Sequence, residues 1–213
     1  MGFIGRFFET AKSGTPHKAN AYWEQRKDVL YYGEIRVLVS GLSKKAKSIL
    51  DVGSAGCPYL DWFPHIPVKT SIDLKRPYVA PGVTSHTCDF LQWSPDQKYD
   101  IVTCLQVLEH IGDAKAFAQK LLQCGSIVVI SVPYKWPAGK TATHVQDPVD
   151  EEKVLSWFNR APNYQRICTE IIAPVDRLIQ VYDAIPEPWA ALNKRDPIVN
   201  AARTARDSTN PVT

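Results

Sequence analysis

Two stretches of this 213-residue chain bring together groups that can move a proton. One is Gln106-Val107-Leu108-Glu109-His110; the other is His144-Val145-Gln146-Asp147. Histidine titrates near neutrality and can take the proton of an alcohol as that alcohol attacks, a contribution of ~10²–10⁴ in rate. His144 is read as such a base, with His110 as the second candidate. The plainer alternatives are a loop histidine packed on Trp136 for His144, and a capping or packing role beside Glu109 for His110. His17 and His65 are read as surface residues, and His86 lies on a weak strand. Together with His144, Asp147 and Asp150 have the composition of a Mg²⁺ site that could align two hydroxyls. Both acids directly precede a helical pattern, however, and capping explains them better. Glu109 could join such a site, but nothing in the sequence requires it. No metal is assigned, and Mg²⁺ is left as an option.

A second set of residues could hold a nucleotide. Asp51-Val52-Gly53-Ser54-Ala55-Gly56-Cys57-Pro58-Tyr59 places two glycines after an apolar run, where they allow a tight turn and close backbone approach. Asp73 lies 20 residues beyond Gly53, near the ~20-residue offset at which an acid grips a ribose. Asp89 and Phe90 pair a carboxylate with an aromatic face, which suits an adenine amino group and ring. Each item also has a turn-forming explanation; their order after successive strands is what raises the nucleotide reading. Tyr59, Tyr134, Lys135 and Trp136 offer flat faces beside polar groups, as a sugar ring needs.

Elements must place these groups. The spacing predicts a helix over 21–40 ended by Gly41, and strands at 48–53, 69–74, 84–90, 99–106 and 126–134. Helices are predicted at 113–125, capped by Asp113, and at 150–158, capped by Asp150. Alternating runs at 164–172 and 177–185, joined by a short link containing Ala-Pro, form a closing antiparallel pair. Strands alternating with helices make an open α/β sheet, whose ligands bind outside the carboxyl ends of the strands. One domain spans 21–186, with a flexible lead-in over 1–20 and a mobile tail over 187–213.

Composition excludes several classes. With 45% hydrophobic and 22% charged residues, the chain is not predominantly disordered. No apolar run reaches the ~20 residues of a membrane span, and Arg6 interrupts the apolar start, so no secretory leader is expected. Net charge is only +3 and the basic residues are scattered, so neither nucleic acid nor a membrane surface is expected as a partner. Five cysteines without CxxC spacing read as reduced thiols in a cytoplasmic protein. The partner expected is a small-molecule acceptor, and the protein a monomer or homodimer.

The stretches SILDVGSAG, SIDL, CDF, YDIVTCLQVLEHIGD and IVVISVPY, over about residues 47–160, resemble a class I S-adenosylmethionine (SAM) dependent methyltransferase of the small-molecule type. The resemblance implies a Rossmann-like methyltransferase sheet, mostly parallel with a C-terminal antiparallel hairpin, in three α/β/α layers. It implies SAM as cofactor, with Asp51 and Gly53 at its methionine end and Ser54 and Gly56 also binding it. Asp73 would hold the ribose, Asp89 and Phe90 the adenine, and Gln106 and Val107 would flank the sulfonium. Tyr59, Glu109, Tyr134 and Trp136 would meet the acceptor. Tyr22, Trp23 and Arg26 would close over the cofactor.

The glycine turn departs from the usual GxGxG at Ala55 and Cys57, and the stretch 75–83 is too short for a crossover helix. No Asn/Asp-Pro-Pro-Tyr stretch follows the fourth predicted strand, so an amine on DNA is disfavoured as acceptor. The function expected is O-methylation of a small polar acceptor, a sugar or glycoside, with a histidine base. The alternatives are N- or C-methylation of another metabolite, a non-catalytic SAM-binding domain, or a nicotinamide dehydrogenase.

Overall fold

The computed structural model describes residues 21–171 and 175–185. The expected lead-in (1–20), the tail (187–213) and the Ala-Pro link lie outside the described residues. Seven strands form one sheet: β1 (Ser48–Val52), β2 (Val68–Asp73), β3 (Val83–Thr87), β4 (Tyr99–Leu105), β5 (Gly125–Pro133), β6 (Tyr164–Thr169) and β7 (Asp176–Asp183). Their order is β3-β2-β1-β4-β5-β7-β6. β1 through β5 pair parallel, and β7 runs antiparallel to both β5 and β6. This is the open sheet with a closing hairpin that the strand pattern predicts.

β1 is buried at every position, Ser48 and Asp51 included, as a strand between two parallel neighbours requires. The chain order reverses between β1 and β4, so a crevice opens at their carboxyl ends. One core lies under α3 (Ala114–Cys124) and α4 (Glu151–Phe158) and is built on Leu121, Val128, Val154 and Phe158. The other lies under α2 (Leu30–Leu42) and is built on Tyr32, Ile35, Val39 and Leu60. Helix, sheet and helix thus make three layers.

Asp113 and Asp150 cap their helices as expected, accepting from Ala116 N–H and Lys153 N–H at 2.9 Å each. The first helix differs from the expectation. It is broken into α1 (Ala21–Glu24) and α2 by a turn over 25–28, and α2 runs past Gly41 to Leu42. The apolar period alone does not reveal the break, because Val29, which starts α2, supplies no side-chain cap. The cap comes from the chain just past β6, the edge strand beside α2: the Glu170 carboxylate accepts from Leu30 N–H at 2.8 Å and Tyr31 N–H at 3.2 Å. Two crossovers are reduced. A 3-10 turn at Tyr59–Trp62 stands where the first crossover helix would be, and no helix lies between β2 and β3.

Candidate active site

The cradle at the end of β1 is built by conformation first. Gly53 and Gly56 have φ of +83° and +75°, and Ala55 adopts the left-handed region at φ +50° despite its methyl group. A Cβ on Gly53 would lie 2.4 Å from a Val107 methyl, so the glycine serves close approach as well as backbone angle. Asp73 locks the loop: one oxygen accepts from Ala55 N–H at 2.9 Å, the other from Lys75 and Arg76 N–H at 2.8 Å each. The short link after β2 therefore replaces a helix with hydrogen bonds to one carboxylate.

Asp51 is 1% exposed. Thr103 donates to its Oδ1 at 2.7 Å, while Oδ2 is buried with no hydrogen-bond partner among the described residues. Burial pushes its carboxyl up to about 7; the Thr103 hydroxyl pulls it back, and the charge of Asp73 adds to the rise. A cation reaching Oδ2 would hold it ionised.

Several expected contacts are used elsewhere. Ser54 is buried, and its hydroxyl accepts from Tyr78 N–H at 2.9 Å and Gly56 N–H at 3.2 Å, so it holds the loop rather than facing the crevice. Phe90 is buried against Phe117 at 4.8 Å, which leaves no open face for an adenine ring. Asp89 remains exposed, one oxygen accepting from Leu91 N–H at 2.9 Å. Tyr59 is buried in an aromatic group with Trp23, Tyr32 and Trp62, and its hydroxyl meets that of Tyr32 at 2.7 Å. It belongs to the core, not to an acceptor pocket. Tyr134 donates to the Glu151 carboxylate at 3.0 Å and so ties β5 to α4. Gln106 sits at φ +57° and donates to the Ser131 hydroxyl at 3.2 Å. Val107 packs on Gly53 at the crevice.

At the end of β4, a 3-10 turn over Leu108–His110 meets the loop after β5. Val145 and Gln146 N–H donate to the Glu109 carbonyl at 2.9 and 3.2 Å, which brings the two sequence stretches together. His144 Nδ1 lies 2.7 Å from Asp147 Oδ2, and His110 Nδ1 lies 2.9 Å from the Thr143 carbonyl. The two imidazoles meet edge to face with centroids 4.7 Å apart. Trp136 stacks on His144 at 5.8 Å, so the packing alternative for His144 holds alongside its bond to Asp147. Glu109 is 1% exposed, and its Oε2 has no hydrogen-bond partner among the described residues. Burial pushes its carboxyl up to about 8, while a backbone hydrogen bond and Arg177 pull it down and Asp147 adds to the rise. Asp150 is spent on capping α4. The grouping of His144, Asp147 and Asp150 as a Mg²⁺ site is thus replaced by a different cluster, Glu109, His110 and His144.

Arg177 was not singled out from the sequence. It reaches across from β7 to lie 4.5 Å over the Trp136 ring and 5.4 Å over that of Tyr31. Only the antiparallel return of β7 beside β5 puts it there, and no local motif signals that. Tyr22 of α1 is also near: burial raises its hydroxyl, and the charges of Arg26, Glu109 and Arg177 act on it.

A parallel sheet reversing at β1/β4, a glycine cradle there, an acid at the end of β2 and an antiparallel β7 beside β5 match a Rossmann-like methyltransferase fold. The chain belongs to the methyltransferase domain family, whose model matches residues 22–170. No curated protein matches it in sequence.

Solved structures with the same fold include N-methyltransferase NodS from Bradyrhizobium japonicum WM9 in complex with S-adenosyl-L-homocysteine. It is 17% identical with a TM-score of 0.58, and the match covers 77% of this chain and 92% of that one. The N-terminal domain of EvdMO1 with the same product bound is 13% identical with a TM-score of 0.52, over 72% of this chain and 81% of that one. A SAM-dependent methyltransferase from Clostridium acetobutylicum ATCC 824 is 9% identical with a TM-score of 0.54, over 75% and 94%. At these identities the likeness establishes the fold.

Proposed function

We propose that this protein transfers the methyl group of SAM to a hydroxyl of a small polar acceptor, a sugar or glycoside in glycan biosynthesis, in the cytoplasm. The buried, unpartnered Oδ2 of Asp51 beside the Gly53 turn fits the ammonium of the cofactor's methionine part. Gly53 and Gly56 let the backbone approach it, and the ribose is assigned to Asp73, whose carboxylate braces the loop. Bound there, SAM supplies a methyl already activated on a sulfonium, so the chain's own task is alignment and proton removal.

The observation that carries the hydroxyl reading is the His144–Asp147 pair at 2.7 Å. The acid fixes the tautomer with hydrogen on Nδ1 and leaves Nε2 to take the acceptor's proton, the arrangement of an oriented base. Trp136 stacks on His144 and lies under the Arg177 guanidinium and the Lys140 ammonium, so it steadies the base and gathers positive charge beside the acceptor.

Release of S-adenosylhomocysteine with a panel of monosaccharide glycosides, set against a panel of amines, tests the reading. Turnover with hydroxyl acceptors that His144→Ala removes supports it. Turnover with amines alone overturns it.

A further inference from the structure

We propose that Glu109, His110 and His144 form a binding site for a first-row divalent transition-metal ion. One ligand atom from each residue lies within 4.8 Å of the other two. His110 Nε2 is 4.0 Å from Glu109 Oε1, beyond hydrogen-bond reach. Donors bound to one ion at ~2.1 Å stand about 3–4 Å apart, so small side-chain rotations close the set.

Both rings are held in the one tautomer that serves an ion. The Thr143 carbonyl faces Nδ1 of His110, and the Asp147 carboxylate faces Nδ1 of His144. An acceptor on Nδ1 requires a hydrogen there and leaves the lone pair on Nε2. Metal-bound histidines are oriented in this way, with the other ring N–H given to a carbonyl or carboxylate. Independently, Glu109 is buried with Oε2 unpartnered among the described residues. A buried carboxylate oxygen without a donor is costly, and a cation between Oε2 and the two imidazoles offsets that cost. The backbone hydrogen bonds from Val145 and Gln146 to the Glu109 carbonyl hold the three donors in place beforehand.

The donor types choose the ion. Mg²⁺ and Ca²⁺ take oxygen ligands, whereas two imidazoles and one carboxylate suit Mn²⁺, Fe²⁺, Co²⁺ or Zn²⁺. The set therefore selects against the Mg²⁺ considered from sequence. Three protein ligands leave coordination positions open, and His110, 38% exposed at its side chain, marks the open side.

The use of the ion rests on the proposed hydroxyl methylation and takes the place of His144 as the base, since a ligated Nε2 cannot accept a proton. With the ion on His144 Nε2, the acceptor oxygen binds the ion and its O–H bond breaks. The proton passes to water at the open side. The O–CH₃ bond forms as the S–CH₃ bond breaks and its electron pair stays on sulfur. The hydroxyl loses its proton at the same place as in the metal-free account, but His144 holds an ion instead of the proton.

The test is titration of EDTA-stripped full chain with Co²⁺, read by calorimetry and by the Co²⁺ visible spectrum, with Mg²⁺ as competitor. The expected result is one Co²⁺ per chain, at least ~10-fold weaker binding in Glu109→Gln and in His110→Ala, and a loss of ~10–100-fold in Asp147→Asn. SAM binding, measured on each variant, reports that it folds. Absence of Co²⁺ binding by the wild-type chain, equal affinity in Glu109→Gln and His110→Ala, or displacement by equimolar Mg²⁺ overturns the site. Hydroxyl methylation persisting without Co²⁺ binding overturns the site and leaves the His144 base standing. Co²⁺ binding with no methylation of any hydroxyl overturns the proposed function and leaves the site standing.

Discussion

His144 Nδ1 and Asp147 Oδ2 stand 2.7 Å apart within a single loop, their side chains 7% and 1% exposed. So close a pair, removed from water, fixes the ring's direction, and the orientation of Nε2 follows from it. Asp147→Asn keeps the shape but can present an amide N–H to Nδ1, which favours the opposite tautomer. Turnover is expected to fall by ~10²–10⁴ with KM for SAM unchanged. Steady-state kinetics with SAM as the varied substrate checks this; an unaltered kcat contradicts an orienting role.

Asp51 should make SAM binding pH-dependent. Its carboxyl is raised to about 7 in the folded protein, so below that pH it is mostly protonated and must lose its proton to meet an ammonium group. Affinity for SAM is expected to weaken as pH falls below about 7, by at most ~10-fold per pH unit. The stability linkage has the opposite sense. The native state holds this proton more tightly than the unfolded chain, so the contribution is fully present below about pH 4 and is lost as pH rises through about 7. Asp51→Asn removes both slopes; calorimetry at pH 6 and 8 and urea melts over the same range read them.

Gly53→Ala combines a strained φ with a Cβ placed 2.4 Å from a Val107 methyl. A loss of ~2–4 kcal/mol is expected from the two effects together. Adding Val107→Ala relieves only the contact, so the double variant should be less stable than Val107→Ala alone by ~1–2 kcal/mol, the backbone share. Urea unfolding of the four proteins provides the cycle. Full restoration by Val107→Ala would show that φ costs nothing here.

Glu170→Gln removes the negative charge that caps α2 from the end of β6. Gln retains one acceptor oxygen, so the expected loss is ~1 kcal/mol, rising to ~2 for Glu170→Ala. Equal stability of all three proteins would show that Leu30 and Tyr31 N–H find other partners.

The fold was readable where local signals were strong. The short apolar run of β1 ending at Gly53 and the caps Asp113 and Asp150 place the sheet and two helices directly. The break between α1 and α2 was not readable, because its cap, Glu170, is distant in sequence. In the site, Glu109, His110, His144 and Trp136 stand out by residue type, and the hydrogen bonds from Val145 and Gln146 to the Glu109 carbonyl join the two stretches that carry them. Phe90, Tyr59 and Ser54 were misplaced for a shared reason: residue type shows that a ring or hydroxyl can bind a ligand, but not that the core has already claimed it. Arg177 was missed because its place depends on how β7 returns along β5.

In the proposed reaction the acceptor hydroxyl loses its proton at the cluster around His144. The direct measurement is S-adenosylhomocysteine release by wild type and His144→Ala against the glycoside panel, with SAM affinity determined on the same preparations. The account predicts a fall of ~10²–10⁴ in turnover with SAM affinity within about twofold. Equal turnover by the two proteins would contradict it.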